Sequence, residues 1–122
     1  MKARILLVED NPATMEVMQQ ELEILGYEVA VARDGAEAVE MANSELPDLI
    51  IMDILMPKMD GGEATKQIRK NPKTQAIPVL AATAKALPED RERCLESGCD
   101  GYIAKPFSYK ELQDVIEKLL RK

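Results

Sequence analysis

Glu9, Asp10, Asp53, Thr83 and Lys105 are the residues of this sequence best placed to do chemistry. Each follows a short apolar run: Glu9-Asp10 after Ile5 to Val8, Asp53 after Leu49 to Met52, Thr83 after Ile77 to Ala82, and Lys105 after Tyr102 to Ala104. If those runs are parallel strands, their carboxyl ends share one edge of an open sheet, where such sheets bind ligands. Three carboxylates, a hydroxyl and an ammonium would then crowd together. Carboxylates that close repel one another and take up protons unless compensated. Lys105 supplies one positive charge. A hard divalent cation supplies more, and an all-oxygen site that retains waters suits Mg²⁺. A carboxylate beside Mg²⁺ and a lysine can attack a phosphoryl group, because the cations neutralise the phosphoryl oxygens and positioning supplies most of the rest. Asp53 is the expected nucleophile. It ends the most apolar run, which should be the central strand, and Met56-Pro57 and Gly61-Gly62 follow it in a loop able to bend around an incoming group. Solvated loop acids would explain any one of these carboxylates, but poorly explain polar residues at the ends of four runs.

Composition narrows the chemistry further. The chain of 122 residues contains no histidine, which removes Ser-His-Asp and Cys-His catalysis, histidine zinc sites and a phosphohistidine carried on this chain. The net charge of −6 argues against direct nucleic-acid binding, since the phosphate backbone selects a basic face, and against an anionic membrane surface. Cys94 and Cys99 have no framework spacing and read as reduced, partly buried residues. No apolar stretch reaches the ~18 residues of a membrane span. Met1-Lys2-Ala3-Arg4 enters an apolar run at once, so no secretory leader is expected and the expected location is cytoplasmic.

The elements that must position these residues are legible as an alternation. The four runs above and a fifth, Val29 to Ala32, are too short for helices and look like buried parallel strands. Capped helical stretches lie between them. Asn11-Pro12 is an N-cap with proline at the first helical position, and Leu25-Gly26 closes that helix. Asp34 to Glu37 and, more strictly, Ser108 to Glu111 fit a capping box. Pro88 can open a helix that runs to Ser97, with Gly98 as its terminator. Leu112, Val115, Ile116, Leu119 and Leu120 make one face of the last helix. The order is βα five times, which predicts a doubly wound parallel sheet in a single domain over residues 1–122.

The chain resembles the receiver domain of two-component response regulators from end to end. The matching pieces are Leu7-Val8-Glu9-Asp10-Asn11, Asp48 to Asp53 with Met56-Pro57 and Asp60-Gly61, Ala82-Thr83-Ala84, and Gly101 to Phe107 around Lys105-Pro106. Any one piece is weak, but all of them in order at family spacing are highly specific. The resemblance implies an α/β, flavodoxin-like (βα)5 fold with strand order 2-1-3-4-5. It implies that Asp53 is the phosphoacceptor and that Asp10, Asp53 and the Leu55 carbonyl bind Mg²⁺, with Glu9 acting mainly through a water. Lys105, the Thr83 hydroxyl and the Ala84 N–H would bond the phosphoryl oxygens, and Lys105-Pro106 would be cis. No segment is left over for an output domain, so a stand-alone regulator of the chemotaxis or cell-division type is expected, or the receiver of a hybrid sensor kinase.

The function so implied is a regulatory, phosphorylation-activated switch rather than a metabolic enzyme. A partner histidine kinase or phosphotransfer protein would donate from its phosphohistidine, and the receiver would hydrolyse its own acyl phosphate. Thr83 and Tyr102 would form the switch, and the downstream protein would meet the face made by the fourth helix, fifth strand and fifth helix. Two alternatives stand beside it. A small Mg²⁺-dependent phosphohydrolase with an aspartate nucleophile would want a second Asp two residues on, where Leu55 stands. A degenerate receiver that binds without phosphorylation would not need Glu9, Asp10, Asp53, Thr83 and Lys105 intact. On the first helix, Met15, Met18, Leu22 and Leu25 form a core stripe, while Val17 and Ile24 fall on a second apolar line. That line is either two poorly covered side chains or a docking patch of Val17 with Asn11, Thr14 and Pro106 for the phosphodonor.

Overall fold

β1 (Arg4–Val8), β2 (Glu28–Ala32), β3 (Leu49–Asp53), β4 (Val79–Thr83) and β5 (Gly101–Ala104) pair in parallel in the order β2-β1-β3-β4-β5. The computed structural model describes residues 3–53, 61–83, 92, 95–96, 98–104 and 107–121, with the backbone alone for Gly61, Gly62, Thr83 and Tyr109. The helices between and after the strands are α1 (Pro12–Ile24), α2 (Gly35–Glu45), α3 (Gly61–Lys70) and, at the C-terminus, α4 (Tyr109–Leu120). The helix expected from Pro88 to Ser97 falls largely outside the described residues, of which Glu92, Leu95 and Glu96 are helical.

The apolar runs are continuous because both faces of the sheet are covered. Strand alternation sends Leu6, Val8, Ile50, Met52, Val79 and Ala81 into a core with α2 and α3. It sends Ile5, Leu7, Leu49, Ile51, Leu80, Ala82 and Ile103 into a second core with α1 and α4. This is the doubly wound arrangement expected from the sequence, with the strand order implied by the resemblance. Small side chains at Ala38, Ala42 and Ala64 let α2 and α3 lie close to the sheet. On α1, Met15, Met18 and Leu22 are buried, whereas Val17 and Ile24 are 55% and 73% exposed. Leu25 caps the helix and is half-buried.

The helix ends follow the local chemistry read from the sequence, with instructive departures. The Asn11 side chain accepts from the Ala13 and Thr14 N–H groups, and Pro12 begins α1. Gly26, at φ +98, ends it: its N–H donates to Glu23 O and the Tyr27 N–H to Leu22 O, satisfying otherwise orphaned carbonyls. Burial, and then the Glu117 carboxylate, raise the pKa of the Tyr27 phenol that packs there. Ser108 and Glu111 form a complete capping box on α4. At α2 only half of the expected box forms. Asp34 accepts from Glu37 N–H, but the Glu37 side chain accepts from Arg33 N–H instead of reaching Asp34. That helix ends on Leu46, which holds a left-handed φ of 47° that favours glycine. The fourth strand begins at Val79, two residues later than Ile77 suggests. Ile77 belongs to the preceding turn: its N–H donates to Thr74 O, its carbonyl accepts from Arg69, and its side chain still packs on the core.

Candidate functional site

The register places the chemistry. Val8 lies between Ala32 and Met52, so the chain leaves β1 beside the end of β3. The Glu9 N–H donates to Ala32 O at 3.0 Å, extending the pairing by one residue and fixing where Glu9 and Asp10 emerge. Asp53 is the last residue of β3 and pairs with Ala82, and Thr83 follows opposite Ala104. Glu9, Asp10, Asp53 and the Thr83 backbone therefore share the carboxyl edge of the sheet, as their positions after apolar runs predict.

Carboxylate oxygens of Glu9, Asp10 and Asp53 lie within 4.8 Å of one another. Glu9 is only 3% exposed and accepts from the Asn11 N–H at 3.3 Å. Asp53 is half-buried and Asp10 is exposed. Three negative charges this close, one of them nearly removed from water, are costly without a cation. A donor set made only of oxygen fits a hard divalent ion such as Mg²⁺, which keeps several waters and takes few carboxylates. The exposed side, at Asp10, leaves room for those waters. Lys105, Ala84, Leu55 and Pro106 lie outside the described residues, as does the Lys105-Pro106 bond.

Tyr102 pairs with Ala81 and packs, half-buried, against the core of α2 and α3. It therefore lies across the sheet from α4, although it stands between Thr83 and that helix in the chain. Asn11 is exposed, Thr14 half-buried and Val17 exposed, all on the start of α1 directly behind Asp10. A cavity of about 130 Å³ beside Asp10 is lined by Pro12, Met15, Glu16, Gln19 and Arg33. Arg33 was legible by the same rule as the other edge residues, since it directly follows the second apolar run.

Residues 5–117 match the family model of the response regulator receiver domain. The chain belongs to that family. Receiver domains are phosphorylation-activated switches of two-component signalling that work with histidine kinases and downstream targets, and this receiver is a regulatory module of that kind. It is 38% identical over 120 residues to the polar-differentiation response regulator DivK of Brucella anthropi, covering 98% of both chains. It is 39% identical over 121 residues to the probable transcriptional regulator ycf27 of Guillardia theta, covering 99% of this receiver but 46% of that protein. The receiver thus spans about half the length of the one relative and nearly all of the other. The crystal structure of the receiver domain of sensor histidine kinase PA1611 from Pseudomonas aeruginosa PAO1, with magnesium coordinated in its active-site cleft, superposes with a TM-score of 0.94. It is 41% identical, and each chain is covered completely. Nothing in these relatives favours a phosphohydrolase or a phosphorylation-independent binding module. No helix among the described residues is long and apolar enough to cross a membrane.

Proposed function

We propose that this receiver takes a phosphoryl group on Asp53 from the phosphohistidine of a partner kinase or phosphotransfer protein, and that it acts as one unit over residues 1–122. The convergence of Glu9, Asp10 and Asp53 oxygens within 4.8 Å carries this reading. An Asp53 oxygen forms the new bond to phosphorus as the P–N bond breaks, and the electron pair stays with the imidazole nitrogen of the donor. Asp10, Asp53 and the Leu55 carbonyl would hold Mg²⁺, with Glu9 reaching it through water. Mg²⁺ when bound neutralises phosphoryl oxygens and orients them for in-line transfer. Lys105, the Thr83 hydroxyl and the Ala84 N–H bond the remaining phosphoryl oxygens. The receiver loses the group again by hydrolysis of the acyl phosphate, so its role is regulatory rather than enzymatic. It works in the cytoplasm without binding nucleic acid or a membrane itself.

The metal assignment is tested by Mg²⁺ titration. Asp10→Asn removes a direct, charged ligand and should weaken binding at least about tenfold, or ~1.4 kcal/mol. Glu9→Gln, which acts through water and keeps an acceptor for the Asn11 N–H, should weaken it less. Equal losses would contradict the division of roles between the two acids.

The phosphodonor docks on the start of α1, at Asn11, Thr14 and Val17, with Pro106 as a further contact residue of the proposed patch. Val17 is a 55% exposed apolar side chain on the helix that leaves the site, which supports this reading. Val17→Glu should slow transfer from a phosphorylated histidine kinase about tenfold, because a charge would have to be desolvated at the contact. Labelling by acetyl phosphate should be unchanged. Equal slowing of both reactions would place the defect in the site and not in docking. After transfer, Thr83 and Tyr102 rearrange and re-form the face around the helix that precedes β5, β5 itself and the C-terminal helix, where the downstream protein binds.

A further inference from the structure

At the opposite edge of the sheet, one side chain ties three segments together. The guanidinium of Arg69, near the end of α3, donates from Nη1 to Gln75 O at 2.9 Å and to Ile77 O at 2.6 Å. Its Nε donates to Gly98 O at 3.0 Å, and its Nη2 meets Asp100 Oδ2 at 2.6 Å. Asp100 closes the circuit. The same Oδ2 accepts from the Val79 N–H at 2.9 Å, and the Asp100 N–H donates to Val79 O at 2.8 Å. The turn into β4 and the turn into β5 are therefore bonded to α3 and to each other.

The surroundings are shaped for this contact. Gly98 sits at φ +108, and a Cβ there would come within 3.0 Å of Arg69 Cγ, so the stem of Arg69 lies where only glycine leaves room. Beside Arg69 on α3, the buried Thr65 hydroxyl lies 3.9 Å from the sulfur of buried Cys99. Thr74, also buried, donates its hydroxyl to Ile68 O at 2.7 Å and holds the same turn onto α3. Only a planar fork of donors can satisfy carbonyls approaching from several directions, and lysine, a point charge, cannot.

We infer that Arg69 and Asp100 form a clamp that fixes the starts of β4 and β5 as one block with α3. Rearrangement on phosphorylation is thereby confined to the far ends of those strands. The inference rests on the phosphorylation reading for its second half. β4 runs five residues from Val79 to Thr83, so its two ends are about 13 Å apart. A shift at Thr83 that was free to slide or tilt the whole strand would be dissipated along it. With the start bonded to α3, the same shift must appear at the Thr83, Ile103 and Ala104 end, where the output face begins. Arg69 is a positioning residue in this scheme, acting through the strands and touching no reactant.

Amide NMR on the intact chain tests both halves, with Arg69→Lys and, as a milder variant, Asp100→Asn. Without any ligand, hydrogen exchange at the Val79 and Asp100 amides should quicken at least about tenfold in Arg69→Lys, while Ile51 in the central strand stays protected. Unchanged exchange at Val79 and Asp100 would overturn the clamp, whatever the role of Asp53. On adding Mg²⁺ and beryllofluoride, resonances of Ala82, Thr83, Ile103 and Ala104 should move in the wild type while Val79 and Asp100 stay still. In Arg69→Lys the change should spread to Val79 and Asp100, and in Asp100→Asn it should spread partway. Movement of Val79 and Asp100 in the wild type, or a change still confined in Arg69→Lys, would overturn the confinement. Beryllofluoride that moved no resonance at all would reject the phosphorylation reading and, with it, the confinement, while the exchange result would still decide the clamp.

Discussion

Asp53→Asn is expected to lose stable labelling by acetyl phosphate by at least about a thousandfold, or roughly 4 kcal/mol of transition-state stabilisation. The amide that replaces the carboxylate is neutral and a poor nucleophile, and Asp53 is the last residue of the central strand. The substitution also removes one of three negative charges lying within 4.8 Å, so Mg²⁺ binding should weaken alongside. Stability should move the other way. Asparagine matches aspartate in size, and relief of repulsion among Glu9, Asp10 and residue 53 should leave the metal-free variant at least as stable as the wild type. Urea unfolding in EDTA and intact-mass labelling at saturating Mg²⁺ separate the two effects. A destabilised variant would mean that Asp53 contributes to the fold, and undiminished labelling would move the acceptor elsewhere.

Thr83→Ala is expected to separate labelling from signalling. Phosphorylation adds nearly two negative charges and three strong acceptor oxygens at Asp53, and Thr83 follows the residue paired with it. On the reading proposed above, Lys105 would answer the carboxylates of the resting site, which would leave the Thr83 hydroxyl as the group to come to the new oxygens. Such a movement would be a population shift, so the resting receiver should sample it rarely. Without the hydroxyl, Asp53 should still accept phosphate, but a ten- to hundredfold gain in partner affinity, about 1.4–2.8 kcal/mol of coupling, should fall below about threefold. Tyr102→Ala should behave similarly, because Tyr102 pairs with Ala81 on the neighbouring strand and packs into the core of α2 and α3. Tyr109→Ala should leave the gain in partner affinity intact. Partner affinity with and without beryllofluoride reads all three, and a full gain in Thr83→Ala would remove that residue from the mechanism.

The sheet and its acidic edge were legible in the sequence because both depend on short-range pattern. A parallel strand covered on both faces needs an unbroken apolar run, and Ile5 to Val8 and Leu49 to Met52 supply it at 0–1% exposure. The residue after such a run must emerge at the carboxyl edge, which is why Glu9, Asp10, Asp53 and Thr83 could be placed without a structure. The same rule reaches Arg33, whose charge beside Asp10 is the less obvious case. What was not legible depends on long-range geometry. Ile77 looks like strand because it is apolar, but Arg69 captures its carbonyl and its N–H closes a turn. Arg69 itself stands in an ordinary polar helix end, and its partners lie 6 to 31 residues away, three of them anonymous backbone carbonyls. Leu46 takes a backbone conformation that no local pattern would assign to leucine. The face on which Tyr102 packs follows from the pairing of β5 with β4, which is a property of the sheet rather than of the run.

On the function proposed above, the three clustered carboxylates form one Mg²⁺-dependent phosphoacceptor site with Asp53 as its nucleophile. Intact-mass analysis of the chain after incubation with acetyl phosphate, with Mg²⁺ or with EDTA, followed by borohydride trapping and peptide mapping of the acyl phosphate, addresses it directly. A single phosphoryl group is expected, formed only with Mg²⁺ and located at Asp53. Full labelling in EDTA, or a phosphoryl group mapped to another residue, would contradict it.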